Sequence, residues 1–254
     1  MVRLLLIDGL NLIRRIYAGQ PDGGVQARIE AVTEQSVRAI LKNLGKFSPS
    51  HAVLAMEYSR HNWRRKYMPS YKVDRPGMPT SLRKGLPDLV QSIAEIGVRE
   101  IAVDGFEADD IIATLAQGVV SRGGQVIILS TDRLLCQLLN PLLQVYDHFG
   151  NQRLDEAFCR QRYGVESRYL VSYFALVGNH SLGIAGVAGV GPKKAANLIA
   201  DYGELQQILD AVDQLSGRTS KALRRYAGEA RLAYRLFTLR ENVHLGVNLS
   251  SFRL

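Results

Sequence analysis

Three short, purely apolar runs constrain this chain more than any other feature: residues 4–7 (Leu-Leu-Leu-Ile), 52–56 (Ala-Val-Leu-Ala-Met) and 126–129 (Val-Ile-Ile-Leu). None alternates with polar residues. A strand that is apolar on both faces must be covered on both, which is the situation of central strands in a parallel sheet flanked by helices. Segments of helical period lie between the runs. Residues 29–44 set Val32, Val37, Ile40, Leu41 and Leu44 along one stripe, and residues 86–96 and 111–120 also read as helices. Strand and helix in alternation predict a doubly wound α/β sheet. After about Tyr163 the strand signals fade, and residues 167–177, 192–202 and 204–215 read as short helices, with Gly203 as a break. The expected division is an α/β unit over 1–162 and a helical lobe over 163–254.

Composition narrows the class of partner. Of 254 residues, 46% are hydrophobic and 22% charged, which excludes a disordered chain. The 32 basic and 24 acidic residues leave a net charge of +8, a balance that favours a polyanion. Two cysteines, Cys136 and Cys159, are too few for a disulfide scaffold and lack zinc-site spacing. Asp8 and Asn11 interrupt the apolar start, so it does not read as a signal peptide, and no apolar run is long enough to cross a membrane. A cytoplasmic protein is expected.

In an open parallel sheet ligands gather beyond the carboxyl ends of the strands, so the residues that close the apolar runs matter most. They are acids: Asp8 closes the first run, Glu57 the second, and Asp132 follows the third after Ser130 and Thr131. Glu107, Asp109 and Asp110 follow a short run at 101–103 and open the helix at 111–120. Taken singly, each reads as a turn, cap or helix-starting residue. Together at one sheet edge they would repel one another unless a hard divalent cation neutralised them, and magnesium or manganese suits such oxygen ligands. Such a metal activates water for attack on phosphorus and stabilises the charge that develops there, so a nuclease and a phosphatase both fit.

Two further segments point to nucleic acid. Residues 186–195 place Gly186, Gly189 and Gly191 before Pro192, Lys193 and Lys194, a tight turn into a helix whose exposed amides and lysines would grip a phosphate. Pro192 rules out a Walker loop, and no strand precedes as a dinucleotide fingerprint requires. Between Ser59 and Arg75 lie Arg60, Arg64, Arg65, Lys66, Lys72 and Arg75, interleaved with Trp63, Tyr67 and Tyr71. Cations that follow phosphates and rings that stack bases suit a single strand; a solvated basic loop with packed aromatics is the plainer reading.

In this order the motifs resemble the flap endonuclease and 5′-3′ exonuclease family over nearly the whole chain. Residues 6–9 (Leu-Ile-Asp-Gly) are similar to its opening motif, Tyr71-Lys72 with Arg75-Pro76 to the basic part of its helical arch, and residues 107–110 (Glu-Ala-Asp-Asp) to its metal-binding helix. Ser130-Thr131-Asp132 resembles its next acidic strand end, and residues 189–195 its helix-hairpin-helix. The short bacterial members without a polymerase are most similar.

The resemblance implies a PIN-like, resolvase-like parallel-sheet nuclease core with a basic arch over about 58–85. It also implies a C-terminal helix-hairpin-helix (helix-three-turn-helix) lobe, with the hairpin over about 167–202. Asp8, Glu107, Asp109, Asp110 and Asp132 are then the metal candidates. Asp8, Glu57, Lys72, Arg75, Glu107, Asp109 and Asp132 form the catalytic set. Arg64, Arg65, Lys72 and Arg75, with Gly189, Val190, Gly191, Pro192, Lys193 and Lys194, would touch DNA. A potassium ion would sit on the backbone carbonyls of Leu176, Val177, Ala185, Val187 and Val190.

The expected partner is branched or flapped DNA with a 5′ single strand, acted on by a monomer. Departures from the family pattern are Leu134, Asn179 and Leu182 in place of acids and Glu57 in place of aspartate. They imply one tight magnesium or manganese site, with a second weak at best. A branched-DNA-binding protein of little or no activity is the alternative. A small metal-dependent ribonuclease or phosphatase would leave 186–194 unexplained. His51, His61, His148, His180 and His244 show no ligand spacing.

Overall fold

A computed structural model describes residues 1–21, 24–59 and 61–254; Arg60, one cation of the basic segment, lies outside the described residues. Each apolar run forms a strand. β1 (Arg3–Asp8) lies at the centre of the sheet and pairs in parallel with β2 (His51–Ala55) on one side and β4 (Gln125–Leu129) on the other, so that Leu6 faces Val53 and Ile128. Beyond β2 runs β3 (Arg99–Ile101), and beyond β4 run β5 (Leu143–Asp147) and the antiparallel edge β6 (Gln152–Leu154). The order is β3-β2-β1-β4-β5-β6.

The absence of alternation in β1 has a direct cause. Successive side chains enter opposite cores: Leu5 and Ile7 pack under one set of helices, Leu4 and Leu6 under another. The first set is α1 (Gly9–Ala18), α2 (Val25–Phe47) and α4 (Thr80–Glu95), which follows a short α3 (Trp63–Tyr67). The second face carries α5 (Ala108–Val120) and the helices that come after the sheet.

Those later helices are α6 (Glu156–Tyr163), α7 (Leu170–Val177), α8 (Pro192–Tyr202), α9 (Leu205–Asp210), α10 (Gly217–Arg225) and α11 (Ala227–Phe237). Residues 167–177, expected as one helix, begin with a 3-10 turn, Ser167–Tyr169. The helix expected over 204–215 ends at Asp210. Leu170, Leu198, Leu209 and Phe237 share one buried cluster with Leu6, Ile112 and Ile128, so packing runs unbroken from the sheet into the helical lobe. The chain ends back at the sheet, where Leu254 N donates to Ser50 O at 3.2 Å. No described helix is long and apolar enough to cross a membrane.

β2 and β3 lie to one side of β1, β4 and β5 to the other, so the chain reverses direction across the sheet between β1 and β4. A crevice opens at the carboxyl ends of strands at such a reversal. Gly9, directly after Asp8, lets α1 start against β2: an added Cβ would lie 2.9 Å from Ala55 O.

Candidate active site

Asp8, Glu57, Glu107, Asp109 and Asp132, four of them separated by long stretches of chain, line one pocket at this reversal together with Lys72 and Arg75. Its cavity of about 60 Å³ admits a few waters or a hydrated ion, and no base. Asp8 is fixed from two sides. Asn11 N donates to its Oδ1 at 3.2 Å as α1 begins, and Ser130 Oγ donates to its Oδ2 at 2.7 Å. Ser130 Oγ in turn accepts from Asp132 N at 3.0 Å, while Asn11 Oδ1 accepts from Thr131 N and Thr131 Oγ1, both at 3.1 Å. Asn11, Ser130 and Thr131 therefore splice the ends of β1 and β4. None was singled out from sequence as a site residue. The available signal was that short polar residues directly follow two of the apolar runs.

The electrostatics favour a cation. Burial pushes the Asp8 carboxyl up to about 6 against its hydrogen bond from Ser130, with Asp132 and Glu57 repelling as well. Asp109 is raised well above the carboxylate range by burial, then by Asp132 and Asp8, and Glu57 is raised by burial. Buried acids that raise one another are what a hard cation relieves, and the donors are all oxygen, so the residues fit magnesium or manganese. Among the described residues no three acidic, histidine or cysteine side chains converge closely enough to hold a metal ion by themselves. The carboxylates share a pocket without crowding one point, which leaves room for the waters magnesium commonly keeps.

Lys72 adopts a left-handed backbone, φ 53°, unusual for a residue with a side chain. Its N–H donates to Leu182 O at 3.0 Å, and its ammonium donates to Glu107 Oε1 at 2.6 Å. Burial pulls the lysine down, but Glu107 prevails and holds it above its usual range. Arg75 is exposed and Arg65 half-buried, both open toward solvent beside the pocket.

Three expectations are corrected. Asp110 does not line the pocket. It is 0% exposed, and its carboxylate accepts from Arg64 Nη1 and Nη2 (2.7 and 2.9 Å), Trp63 Nε1 (3.0 Å) and Arg240 N (3.0 Å), a buried network that holds it outside the pocket lining to which Glu107 and Asp109 belong. Arg64, 1% exposed and committed to that pair, cannot meet DNA. Trp63 and Tyr71 are buried walls and offer no stacking face, because their polar atoms serve buried acids: Tyr71 OH donates to Glu107 Oε2 at 3.0 Å. Tyr67 keeps a face, 44% exposed, with the Arg235 guanidinium 3.7 Å from its ring centre.

The positions that depart from acids lie on the far side. Leu134 and Leu182 line the pocket, and Asn179 Oδ1 accepts from Ser181 N and Ser181 Oγ (3.0 and 2.8 Å), spent on its own turn. Beyond Asn179 the chain forms the glycine hairpin. Short strands β7 (Gly178–Asn179) and β8 (Ile184–Ala185) join α7 to the approach of α8. Gly189, Gly191, Pro192, Lys193 and Lys194 are exposed, whereas Val190 is buried. A Cβ on Gly186 would lie 2.5 Å from the carbonyl oxygens of both Leu176 and Val177, so glycine permits that approach. Leu176 O accepts from Val187 N (2.8 Å) and Val187 O from Val190 N (2.9 Å), each retaining a second lone pair.

Comparison with known proteins agrees in both halves. A family model described as 5'-3' exonuclease, N-terminal resolvase-like domain, matches residues 3–164, and one described as 5'-3' exonuclease, C-terminal SAM fold, matches 165–254. The chain is 40% identical to Flap endonuclease Xni of Aeromonas hydrophila, over 98% of this chain and 95% of that protein. It is 37% identical to Flap endonuclease Xni of Tolumonas auensis, over 100% and 98%. Among solved structures, T5 5'-exonuclease with divalent metal ions (zinc) bound superposes with a TM-score of 0.80 at 19% identity, covering 92% of this chain and 89% of that one. The catalytic core of Rad2 in complex with DNA substrate gives 0.59 at 15% identity, covering 95% and 79%. At such identities the likeness is one of fold.

Proposed function

The chain belongs to the 5′-3′ exonuclease family, and we propose that it is a structure-specific 5′ nuclease, a flap endonuclease that hydrolyses DNA phosphodiesters near junctions of single strand and duplex. The observation that carries this reading is the convergence of Asp8, Asp109 and Asp132 on one small pocket beside Lys72. Asp8, Glu107, Asp109 and Asp132 would hold magnesium or manganese, with Glu57 near it or linked through water. When bound, the metal supplies activation of water and stabilisation of negative charge on the phosphate. Lys72 and Arg75 orient the scissile phosphate, and Arg65 follows the strand outside the pocket.

Residues 1–162 act as the nuclease unit and 163–254 as the DNA-holding lobe. There the free amides at the start of α8, with Lys193 and Lys194, grip duplex phosphates without reading bases. The carbonyls of Leu176, Val177, Ala185, Val187 and Val190 would take a potassium ion that stiffens the hairpin. With Leu134, Asn179 and Leu182 opposite the acids, one tight divalent site and at most one weak one are expected. The enzyme works as a monomer in the cytoplasm, a reading in keeping with free, buried Cys136 and Cys159.

The test is a 5′-flapped duplex incubated with magnesium. The native chain should cut near the junction, and Asp109→Ala should cut more than about 100-fold more slowly while still binding the DNA, a loss at least as large as that caused by removing an outer partner of a metal ligand. Equal cutting by both proteins would overturn the assignment. Leu134 and Leu182 favour a second reading, a branched-DNA-binding protein with little hydrolysis. Tight flap binding without cleavage in either magnesium or manganese would select it.

A further inference from the structure

Arg64, read from sequence as a contact to DNA, occupies a different place. It is 1% exposed on α3, and its guanidinium bridges two elements distant in the chain. Nε donates to Leu236 O at the end of α11 (2.8 Å), Nη1 and Nη2 to Asp110 in the first turn of α5 (2.7 and 2.9 Å), and Nη1 also lies 3.0 Å from Glu107 Oε2. Asp110 Oδ2 accepts from Glu107 N at 3.3 Å, closing a reciprocal cap on α5. Arg240 N adds a bond to Asp110 from beyond α11, with its guanidinium 4.4 Å from the Trp63 ring centre.

Apart from the Asp110 backbone N–H of that cap, the Glu107 carboxylate receives its donors from one segment of the chain. Oε1 faces Asn62 Nδ2 (3.2 Å) and Lys72 Nζ (2.6 Å); Oε2 faces Tyr71 OH (3.0 Å) and Arg64 Nη1 (3.0 Å). All four donors lie between residues 62 and 72, in the stretch that sequence composition offers to single-stranded DNA. They fix the plane of the carboxylate, which an isolated capping glutamate would not require. A buried ion pair carries a desolvation cost and is weak support for stability, so its place against the pocket acid Glu107, with Arg64 itself in the pocket wall, points to geometry.

We propose that Arg64 is a positioning residue for the acid pocket: through Glu107 and Asp110 it sets the first turn of α5, and so aims Glu107 and Asp109 at the divalent cation. This rests on the function proposed above. The buried side of the basic segment is then a bracket for the metal ligands, while Arg65 and Arg75 keep its outer side for the strand. Loss of a group that orients a metal ligand commonly lowers metal affinity about 10- to 100-fold.

The whole chain should be compared with Arg64→Lys and with the double variant Arg64→Met/Asp110→Asn. The double variant removes both charges together, leaves the net charge unchanged, and keeps an acceptor for Trp63 Nε1 and Glu107 N, which share Asp110 Oδ2, at the loss of the bond from Arg240 N. Manganese affinity is read from the EPR signal of the free ion without DNA, beside melting temperature and flap-DNA affinity in calcium. The double variant should melt close to the native chain and bind DNA within about twofold, yet lose about 10- to 100-fold in manganese affinity. Arg64→Lys keeps a charge but loses the fork, and should fold with an intermediate loss. Native manganese affinity in either variant, folded, would overturn the positioning role alone. A native chain that binds no manganese would overturn the proposed function, and this role with it.

Discussion

The two sides of the acid pocket, built at the same sheet edge, differ in how their side chains are held. On the side of β1, β2 and α5, Asp8 and Glu107 are buried and each carboxylate oxygen has at least one polar partner, while Asp109 is pressed between like charges. On the side beyond β4, Asp132 Oδ1 accepts from Leu134 N at 2.8 Å as it caps a 3-10 helix, Arg133–Leu138, and the next side chains toward the pocket are Leu134 and Leu182. A carboxylate can stay buried where hydrogen bonds and a cation offset its desolvation. Where no cation is held, leucine costs less. The difference teaches that the buried, hydrogen-bonded carboxylates are concentrated on one side of the crevice, while leucines face it from the other.

Of the changes that test this difference between the sides, the one with the largest expected effect makes them alike. Leu134→Asp combined with Leu182→Asp should raise manganese stoichiometry from one to two in a calorimetric titration and speed single-turnover flap cleavage about tenfold, through added stabilisation of developing charge. An unchanged stoichiometry would show that these leucines do not set the asymmetry.

A smaller effect is expected from the hairpin that extends the leucine side. Lys193→Ala/Lys194→Ala should weaken duplex binding severalfold and reduce the slope of log affinity against log salt by about 1–2, one for each phosphate contact removed. The manganese affinity of the acid side should not move. An unaltered salt slope would remove the hairpin from the DNA interface.

The smallest effect tests the repulsion itself, without metal. Asp8 in the folded chain holds its proton up to about 6, above its ordinary value of 3.8. Its ionised form therefore destabilises the fold above pH 6, and this penalty disappears as pH falls below about 4, where both folded and unfolded chains are protonated. Asp8→Asn, which can still cap α1, should raise the melting temperature of the metal-free chain by about 5 °C at pH 7.5 and by almost nothing at pH 4. Added magnesium should shrink the gain at pH 7.5. A gain independent of pH would point to packing in place of charge.

Much of the sheet was legible because its signal is local. The unbroken apolar runs at 4–7, 52–56 and 126–129 predicted β1, β2 and β4 within a residue or two. Other elements left weaker traces. α10 has two buried residues, Ser220 and Leu223, and α11 buries the small Ala230 and Ala233 beside Leu236 and Phe237, so few large apolar side chains mark either helix. α1 was hidden because Leu10, Leu12 and Ile13 continue the apolar character of the strand before it.

The sequence by itself determined that acids would close the central strands, since a strand covered on both faces must end where the chain can again carry charge. It could not decide between neighbours. Asp109 and Asp110 are adjacent and chemically identical, as Arg64 and Arg65 are, yet Asp109 lines the pocket and Arg65 is half open to solvent, while Asp110 and Arg64 are buried in one ion pair, Arg64 as part of the pocket wall. Consecutive helical residues point about 100° apart, and which direction is inward was set when α11 and the segment after it docked on α5 and α3. That contact joins residues more than a hundred positions apart, and only the tertiary structure brings them together.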